Sequence, residues 1–234
     1  MSTYLSLTNE LLRRLGEVVM DSTEFEGARN VQALAKNAIN SSIREILHSA
    51  QEWPFTLVTN TQTMVVGTNV YNFPPDFSNV DWQSFFLKKL TANNAKRLPV
   101  ISYTNYLDSF RAKEEASEEA GYNIPTTVFQ TQESRFGVTP IPDDVYEIEY
   151  KYWSFPSDLV LHDDVCIIPD RFTHIIVDGA MVYMMVYRSN EQSAGIHKTK
   201  FEEGIRIMRR LLMDEPTAVV ATLLQPNQFN PRVF

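Results

Sequence analysis

The sequence predicts an α+β protein in which a β-rich segment is inserted into a four-helix bundle. Apolar residues recur at three- and four-residue steps near both ends of the chain, whereas they alternate with polar residues in between. The 234 residues, 44% of them hydrophobic and 21% charged, have the composition of a folded protein. We expect one discontinuous helical bundle domain at 1–52 and 167–214, an inserted β-rich domain at 53–166, and an extended C-terminal arm at 215–234.

Two amphipathic helices are predicted in the N-terminal part. The first spans 5–19, and Val18 continues its apolar stripe. The second spans 28–52 and ends before Pro54, because proline cannot continue a helix and restricts the residue before it. This pair cannot bury its apolar stripes alone, so we expect it to pack against later helices.

Two further helices are predicted near the C-terminal end. The third begins at Asp170, whose carboxylate we expect to accept hydrogen bonds from amides near Thr173. Its apolar stripe includes Tyr183 and Val186. The fourth spans about 191–213 and has one apolar face, which completes the predicted bundle.

Between the helices, the period of the apolar residues changes to two, which is typical of strands. Strands are predicted over 56–66, 70–73, 82–89, 97–101, 125–132, 134–139 and 146–153. A helix is predicted over 102–116. Turn residues such as those at 74–76 and 140–142 separate the strands.

Composition and motifs argue against several functional classes. The net charge of −8 is opposite to the cationic surface of proteins that grip nucleic acid. The single cysteine, Cys166, excludes an intramolecular disulfide framework and favours a reducing compartment. The apolar stretch 175–187 is shorter than the ~20 residues of a bilayer crossing. The usual motifs of phosphate-binding loops, serine hydrolases and zinc proteases are missing, so we predict no enzyme.

One polar cluster leaves a catalytic alternative open. His162, Asp163 and Asp164 are followed by His174, and such side chains are common metal ligands. An acidic loop that leads into a capped helix would contain the same residues, and we therefore predict no metal site. The alternative function is a metal-dependent nuclease or hydrolase that uses these four residues.

The C-terminal segment favours assembly with other proteins. The C-terminal arm is apolar without a periodic face, which favours docking on a partner, and its anchors would be Leu223, Leu224, Phe229 and Phe234. Separately, the acidic run 113–119 is either a solvated helix end or an acidic lining.

Several short motifs follow one another along the chain in a characteristic order. They are Leu7-Thr-Asn-Glu-Leu-Leu-Arg-Arg-Leu-Gly-Glu17, Trp53-Pro-Phe55, Tyr71-Asn-Phe-Pro-Pro-Asp76, Asn123-Ile-Pro-Thr-Thr-Val-Phe129, Val138-Thr-Pro-Ile-Pro-Asp-Asp-Val-Tyr146, Leu159-Val-Leu-His-Asp-Asp164, Ile168-Pro-Asp170 and Asp178-Gly-Ala180. In this order they resemble the head-to-tail adaptor proteins of tailed bacteriophages. The closest type is the tail tubular protein A, or gatekeeper-ring, family of short-tailed phages.

The resemblance covers about residues 5–215 and carries several implications. It implies a homo-oligomeric ring, typically of twelve copies, beneath the portal protein and above the tail nozzle or other tail proteins. The protein would be made in the host cytoplasm and located in the virion neck, without a membrane, catalysis or a cofactor. Double-stranded DNA would pass through without specific binding. A neck protein of a long-tailed phage with the same fold stays open as an alternative.

The resemblance also suggests roles for parts of this chain. We expect the helical bundle to build the ring wall and the β-rich domain to reach towards the tail. The arm residues Leu223, Leu224, Phe229 and Phe234 would bind the portal. The acidic residues Glu114, Glu115, Glu118 and Glu119 would line the channel.

Overall fold

The chain has long helices near both ends and strands between them, which is the order that the hydrophobic periodicity predicts. The computed structural model describes residues 2–89, 92–115, 122–131 and 135–213. Its helices are α1 (Tyr4–Leu15), α2 (Asn30–Ser49), α3 (Tyr103–Tyr106), α4 (Ala112–Glu115), α5 (Thr173–Tyr187) and α6 (Glu191–Leu212). A π-helical turn at Leu107–Arg111 joins α3 to α4. The predicted α+β class is confirmed.

The strands form two sheets. They are β1 (Leu57–Thr63), β2 (Val70–Asn72), β3 (Phe77–Val80), β4 (Phe86–Lys89), β5 (Ala92–Arg97), β6 (Val100–Ile101), β7 (Thr127–Gln130), β8 (Arg135–Thr139) and β9 (Tyr146–Ser154). The first sheet is antiparallel, in the order β1-β9-β4-β5, and β3 also pairs with β9. The second has the order β2-β8-β7-β6; its β6–β7 pair is parallel, and the β2–β8 and β7–β8 pairs are antiparallel.

Strand β9 organises the first sheet because it pairs with three other strands. Its side chains alternate, so that Tyr146, Ile148 and Tyr150 are buried on the inner face while Glu147 and Glu149 lie on the outer face. On the inner face, the ring of Tyr150 stacks on Phe85 with centroids 5.0 Å apart. Aromatic residues of both sheets thereby share one apolar cluster.

Helix α5 lies at the centre of the helical part. It packs against α1, α2 and α6, and the four helices share a second apolar cluster. The side chain of Ile175 lies against Gly204 of α6, where an added Cβ would come within 2.8 Å of it. The arrangement of these helices as a regular bundle and the predicted domain limits stay predictions.

Helices α2, α5 and α6 approach one another closely at Gly179 of α5. The hydroxyl of Ser42 in α2 donates to the carbonyl of Ile176 at 2.8 Å. An added Cβ at Gly179 would lie 2.6 Å from the ring of Phe201 in α6, and closer still to the Ser42 hydroxyl. Three helices therefore meet where α5 has no side chain.

The first helix ends four residues earlier than predicted. Gly16 adopts a left-handed conformation with φ of 70°, and its N–H donates to the carbonyls of Arg13 and Leu12. The prediction that Val18 continues the buried stripe is therefore wrong, and Val18 is 77% exposed. Helix α2 ends at Ser49, and the indole N–H of Trp53 donates to the carbonyl of Ile46 at 3.0 Å.

The start of α5 also differs from the prediction. Asp170 begins a 3-10 turn, and its carboxylate accepts from the Ser2 hydroxyl at 2.8 Å instead of capping α5. The cap residue is Phe172, which makes no side-chain capping bond. Further along α5, Tyr183 and Val186 are exposed, so the predicted apolar stripe is too wide.

Two β-region predictions are corrected in detail. The strand predicted over 97–101 is divided at Pro99 between β5 and β6, which belong to different sheets. Proline supplies no backbone donor, so the chain leaves the first sheet there. The strand predicted over 82–89 begins as a 3-10 turn, Trp82–Ser84, and only Phe86–Lys89 is extended.

We expect Gly179→Ala to lower the free energy of unfolding by about 1–3 kcal/mol, because the new methyl group must displace Ser42 or Phe201. The matched control is Gly195→Ala in α6, where an added Cβ meets nothing within 4 Å. That control should raise stability by about 0.5–1 kcal/mol, since alanine is the better helix former. Urea unfolding of both variants provides the measurement, and equal midpoints would contradict the close-approach argument.

Candidate assembly surfaces

The segment 159–166 closes the N-terminal end of α1. The amides of Tyr4 and Leu5 donate to the carbonyls of Asp164 and His162, at 2.8 and 3.1 Å. These amides have no partner within the helix, so the segment acts as a backbone cap. The residues between which these bonds form are about 160 positions apart in the chain.

Asp164 holds this capping segment in shape. Its carboxylate accepts from the amides of Val160 and Leu161 at 2.6 and 2.7 Å. These two bonds lower the pKa of Asp164 below its usual value. The carboxylate therefore supports a turn of the loop.

Among the residues that the structure describes, there is no metal site that would support the alternative function of a nuclease or hydrolase. Among those residues, no three His, Cys, Asp or Glu side chains form a group that could hold a metal ion. Of the four proposed ligands, Asp164 supports the loop, Asp163 and His174 are exposed, and His162 is half-buried. Cys166 is buried, and burial raises the pKa of its thiol to about 11.

The capping segment exposes apolar side chains. Val160 is 66% exposed, and Leu161 and Val165 are each 48% exposed. These three residues, which we term the loop patch, lie beside the start of α1, because Val165 forms a β-bridge with Thr3. Exposed apolar groups held on an ordered loop are typical of contact surfaces.

A second apolar surface lies at the other end of the helical part. We term Val18, Val19, Val186 and Tyr187 the end patch; all four are exposed. The guanidinium of Arg188 joins its two halves, because it donates to the carbonyl of Leu15 at 3.2 Å and to the carboxylate of Glu17. The ends of α1 and α5 are thereby held together.

The two patches lie at opposite ends of the helical part. The starts of α1 and α5 are joined through Ser2 and Asp170, and their ends through Leu15 and Arg188. The two helices therefore run in the same direction. The loop patch is at their starts and the end patch is at their ends.

The carboxylate of Asp178 links three helices between the two patches. The carboxylate of Asp178 in α5 lies 3.2 Å from the guanidinium of Arg14 in α1. The same oxygen lies 3.2 Å from Nδ1 of His197 in α6. The Asp178 side chain is only 14% exposed, so solvent screens this contact less than it screens a surface ion pair.

Of the predicted channel-lining residues, Glu114 has a described side chain. Its carboxylate accepts from the hydroxyl of Tyr106 at 3.0 Å and from that of Thr139 at 2.6 Å. Burial raises the pKa of Tyr106, and the hydrogen bond to Glu114 raises it further. Glu114 thus joins α4 to β8, and its role as a channel lining stays a prediction.

The other predicted site residues are not described. Glu118 and Glu119 lie outside the described residues, and so does the side chain of Glu115. The predicted portal-binding residues Leu223, Leu224, Phe229 and Phe234 also lie outside them. Their roles stay predictions.

Sequence reasoning missed both apolar patches. It assigned Val18 and Val186 to buried helix stripes because both continue a helical period. Gly16 was the signal for the correct boundary, since glycine commonly ends a helix in the left-handed conformation. No comparable signal marks Val160 or Val165, whose position depends on a contact with the other end of the chain.

The described residues thus form a helical part, an aromatic two-sheet region and two groups of exposed apolar side chains. The family model for the SU10 adaptor protein matches residues 2–222. The chain therefore belongs to the SU10 adaptor protein family, and this membership indicates a phage head-to-tail adaptor. The resemblance found in the sequence is confirmed.

Among curated proteins, none matches the chain. Within the described residues, none of the helices is both long enough and apolar enough to span a bilayer.

We expect Asp164→Asn to destabilise the protein at pH 7, because the loss of charge weakens the two bonds from the amides of Val160 and Leu161. Since folding lowers the pKa of Asp164, its stabilising effect is present above the unfolded value of about 3.9 and disappears as the pH falls through the folded pKa. Urea midpoints of both proteins should differ at pH 7 and converge in acid. The control is Asp163→Asn, at the exposed residue beside Asp164. An equal loss of stability in that variant would contradict the role assigned to Asp164.

Proposed function

We propose that the protein is a subunit of a connector ring in the neck of a tailed phage, where it joins the portal to the tail. The observation that carries this proposal is the adaptor-family match over residues 2–222. The loop patch and the end patch supply two apolar surfaces at opposite ends of one helical body, which supports the proposal.

Many copies of one chain can close into a ring. In a closed ring each copy offers two different surfaces to its two neighbours, so the contacts are heterologous. We propose a ring of twelve copies, with the helical bundle as the wall and the β-rich domain directed towards the tail nozzle or other tail proteins. Glu114, Glu115, Glu118 and Glu119 would line the channel.

The charge of the chain suits a conduit for double-stranded DNA. Lysine and arginine contacts to phosphates release counterions and add affinity, which would slow transit. The net charge of −8 disfavours such contacts over the molecule as a whole. DNA would therefore pass through during ejection without specific binding.

The role that we assign is structural. Asp164 and His162 support the cap of α1, and Glu114 joins two elements of the β-rich region. The carboxylates of Asp164 and Glu114 and the carbonyl of His162 thus have structural contacts, which is consistent with an adaptor. We therefore propose no catalysis and a location in the virion neck.

We expect deletion of Thr217–Phe234 to leave a folded protein that no longer joins the portal, because the four apolar anchors of the arm are removed. Sedimentation of the full chain and of the truncated chain, each alone and with the phage's portal protein, measures the association. Circular dichroism establishes that the truncated chain is folded.

A full-length variant tests the four apolar anchors without shortening the arm. Replacing Leu223, Leu224, Phe229 and Phe234 with serine should abolish portal binding, whereas replacing Gln225 and Gln228 with serine should leave it intact. Normal portal binding by the truncated chain would show that the arm is not the portal anchor. Failure of the full chain to form any assembly, with or without the portal, would refute the connector ring.

A further inference from the structure

Strand β1 forms one edge of the first sheet. It pairs along its whole length with β9, from Leu57 opposite Trp153 to Thr63 opposite Glu147. In the described residues no strand pairs with its other side. At the opposite end of the same sheet, β5 pairs with β4 and is likewise without a second strand in the described part.

The hydrogen-bond phase shows which residues of β1 face outward. The amide of Met64 donates to the carbonyl of Tyr146 at 2.8 Å, and the register places these two residues opposite each other. Alternate residues of an antiparallel pair turn their backbone groups towards the partner strand. Residues 58, 60 and 62 therefore bond to β9, while Thr59, Thr61 and Thr63 direct their N–H and C=O groups away from the sheet.

The outer side of β1 lacks the features that usually protect an edge strand. Natural edges are blunted by charged side chains, proline or bulges. Strand β1 reads Leu-Val-Thr-Asn-Thr-Gln-Thr, which contains no charge and no proline, and its register to β9 has no shift. It is therefore suited to accept another strand.

The same reasoning identifies the outward groups of β5. The amide of Leu98 donates to the carbonyl of Phe85 at 2.9 Å, and Phe86 lies opposite Arg97. In this phase Lys96 bonds to β4, while Ala95 and Arg97 direct their backbone groups away from the sheet.

The two edges match in direction and in side-chain face. All neighbours along β1-β9-β4-β5 are antiparallel, so β1 and β5 run in opposite directions. Both Thr61 and Phe86 lie opposite Glu149, and Arg97 lies opposite Phe86. Thr61 and Arg97 therefore have their side chains on the same outer face, and a second copy of the sheet can continue the first without turning over.

We propose that β1 of one copy pairs antiparallel with β5 of a second copy, so that the sheet continues from subunit to subunit. The register that we assign places Thr61 opposite Arg97 and Thr63 opposite Ala95 of the second copy. Arg97 then lies on the face that carries Glu147 and Glu149 of β9, with β1 between them. Glu149 already pairs with Lys88 in its own copy, so Glu147 is the carboxylate that favours this pairing by charge. This inference rests on the proposed connector ring and names the contact between its subunits.

A sheet that continues through all subunits would have a circumference large enough to enclose a channel. Four strands at about 4.8 Å span about 19 Å per copy, so twelve copies would close a circumference of about 230 Å. Because the two edges are different surfaces, the pairing is heterologous and generates a ring when the rotation closes.

Engineered cysteines test the pairing in the full chain. We expect the Thr63→Cys, Ala95→Cys double variant to form disulfides between copies upon mild oxidation, because opposite residues in a hydrogen-bonded pair have Cα atoms about 5.5 Å apart. The product would be a ladder of covalent oligomers on a non-reducing gel. Cys166 contributes little background because it is buried.

The matched control moves one cysteine to the other face of β1. The Gln62→Cys, Ala95→Cys variant should not cross-link, because residue 62 has its side chain on the inner face. Sedimentation of the same samples separates the two proposals. Rings without a Thr63–Ala95 cross-link, or with equal cross-linking of the control, would overturn the strand pairing and leave the ring intact. The absence of any ring, with the portal present, would refute the ring and the pairing together.

Backbone variants and hydrogen exchange provide an independent test. Thr61→Pro removes an N–H that makes no bond to β9, so the monomer should remain folded while association weakens at least about tenfold. Thr61→Val retains the N–H and should assemble normally. The amides of Thr59, Thr61 and Thr63 should exchange rapidly in the monomer and slowly in the ring. Slow exchange already in the monomer would show that the chain's own residues cover this edge, and would overturn the proposal.

Discussion

The helical part of the protein depends on the close approach of three helices at Gly179. Because no side chain separates them there, the Ser42 hydroxyl reaches the carbonyl of Ile176 and the ring of Phe201 packs against α5. Gly204 repeats this relation on α6, where it accommodates Ile175. Helix α5 is thus fixed on α2 and α6, and Asp178 fixes α1 to it as well. Segments from the two ends of the chain thereby become one body.

This packed centre explains how the chain can present separate contact surfaces. The loop patch and the end patch lie at opposite ends of α1 and α5. Hydrogen bonds from the amides of α1 hold the loop patch at the helix starts, which Ser2 and Asp170 also link. The bond from Arg188 to Leu15 holds the end patch at the helix ends. The sheet adds two further surfaces, which are edges of backbone groups instead of apolar side chains. Contacts of two chemical kinds suit a protein that must bind its own copies and also other proteins.

The sequence predicted the α+β class and the order of the long helices and of most strands, because their apolar periods are strong. It did not predict β3 or the part of β5 before Arg97, which lack a regular alternation of apolar and polar residues. The alternation of buried aromatic residues with charged residues at 146–153 predicted β9, and the glutamates there are on the outer face as that pattern requires. Periodicity failed where an element ends, because Gly16 stops a helix whose apolar pattern continues to Val18. It also could not reveal contacts between distant segments. The carboxylate of Asp170 binds Ser2, although the local sequence predicted a helix cap there. The carbonyls of His162 and Asp164 cap α1, whereas the local sequence had left a metal site open as an alternative.

The arrangement of the helical part has a consequence for protein synthesis. Helices α1 and α2 bury their apolar faces against α5, which begins more than a hundred residues after α2 ends. At translation rates of about 5–20 residues per second, a nascent chain carries these faces uncovered for about 6–25 s. The strands between them are complete before α5 leaves the ribosome. The inserted sheets can therefore form first, and the body that carries them closes last.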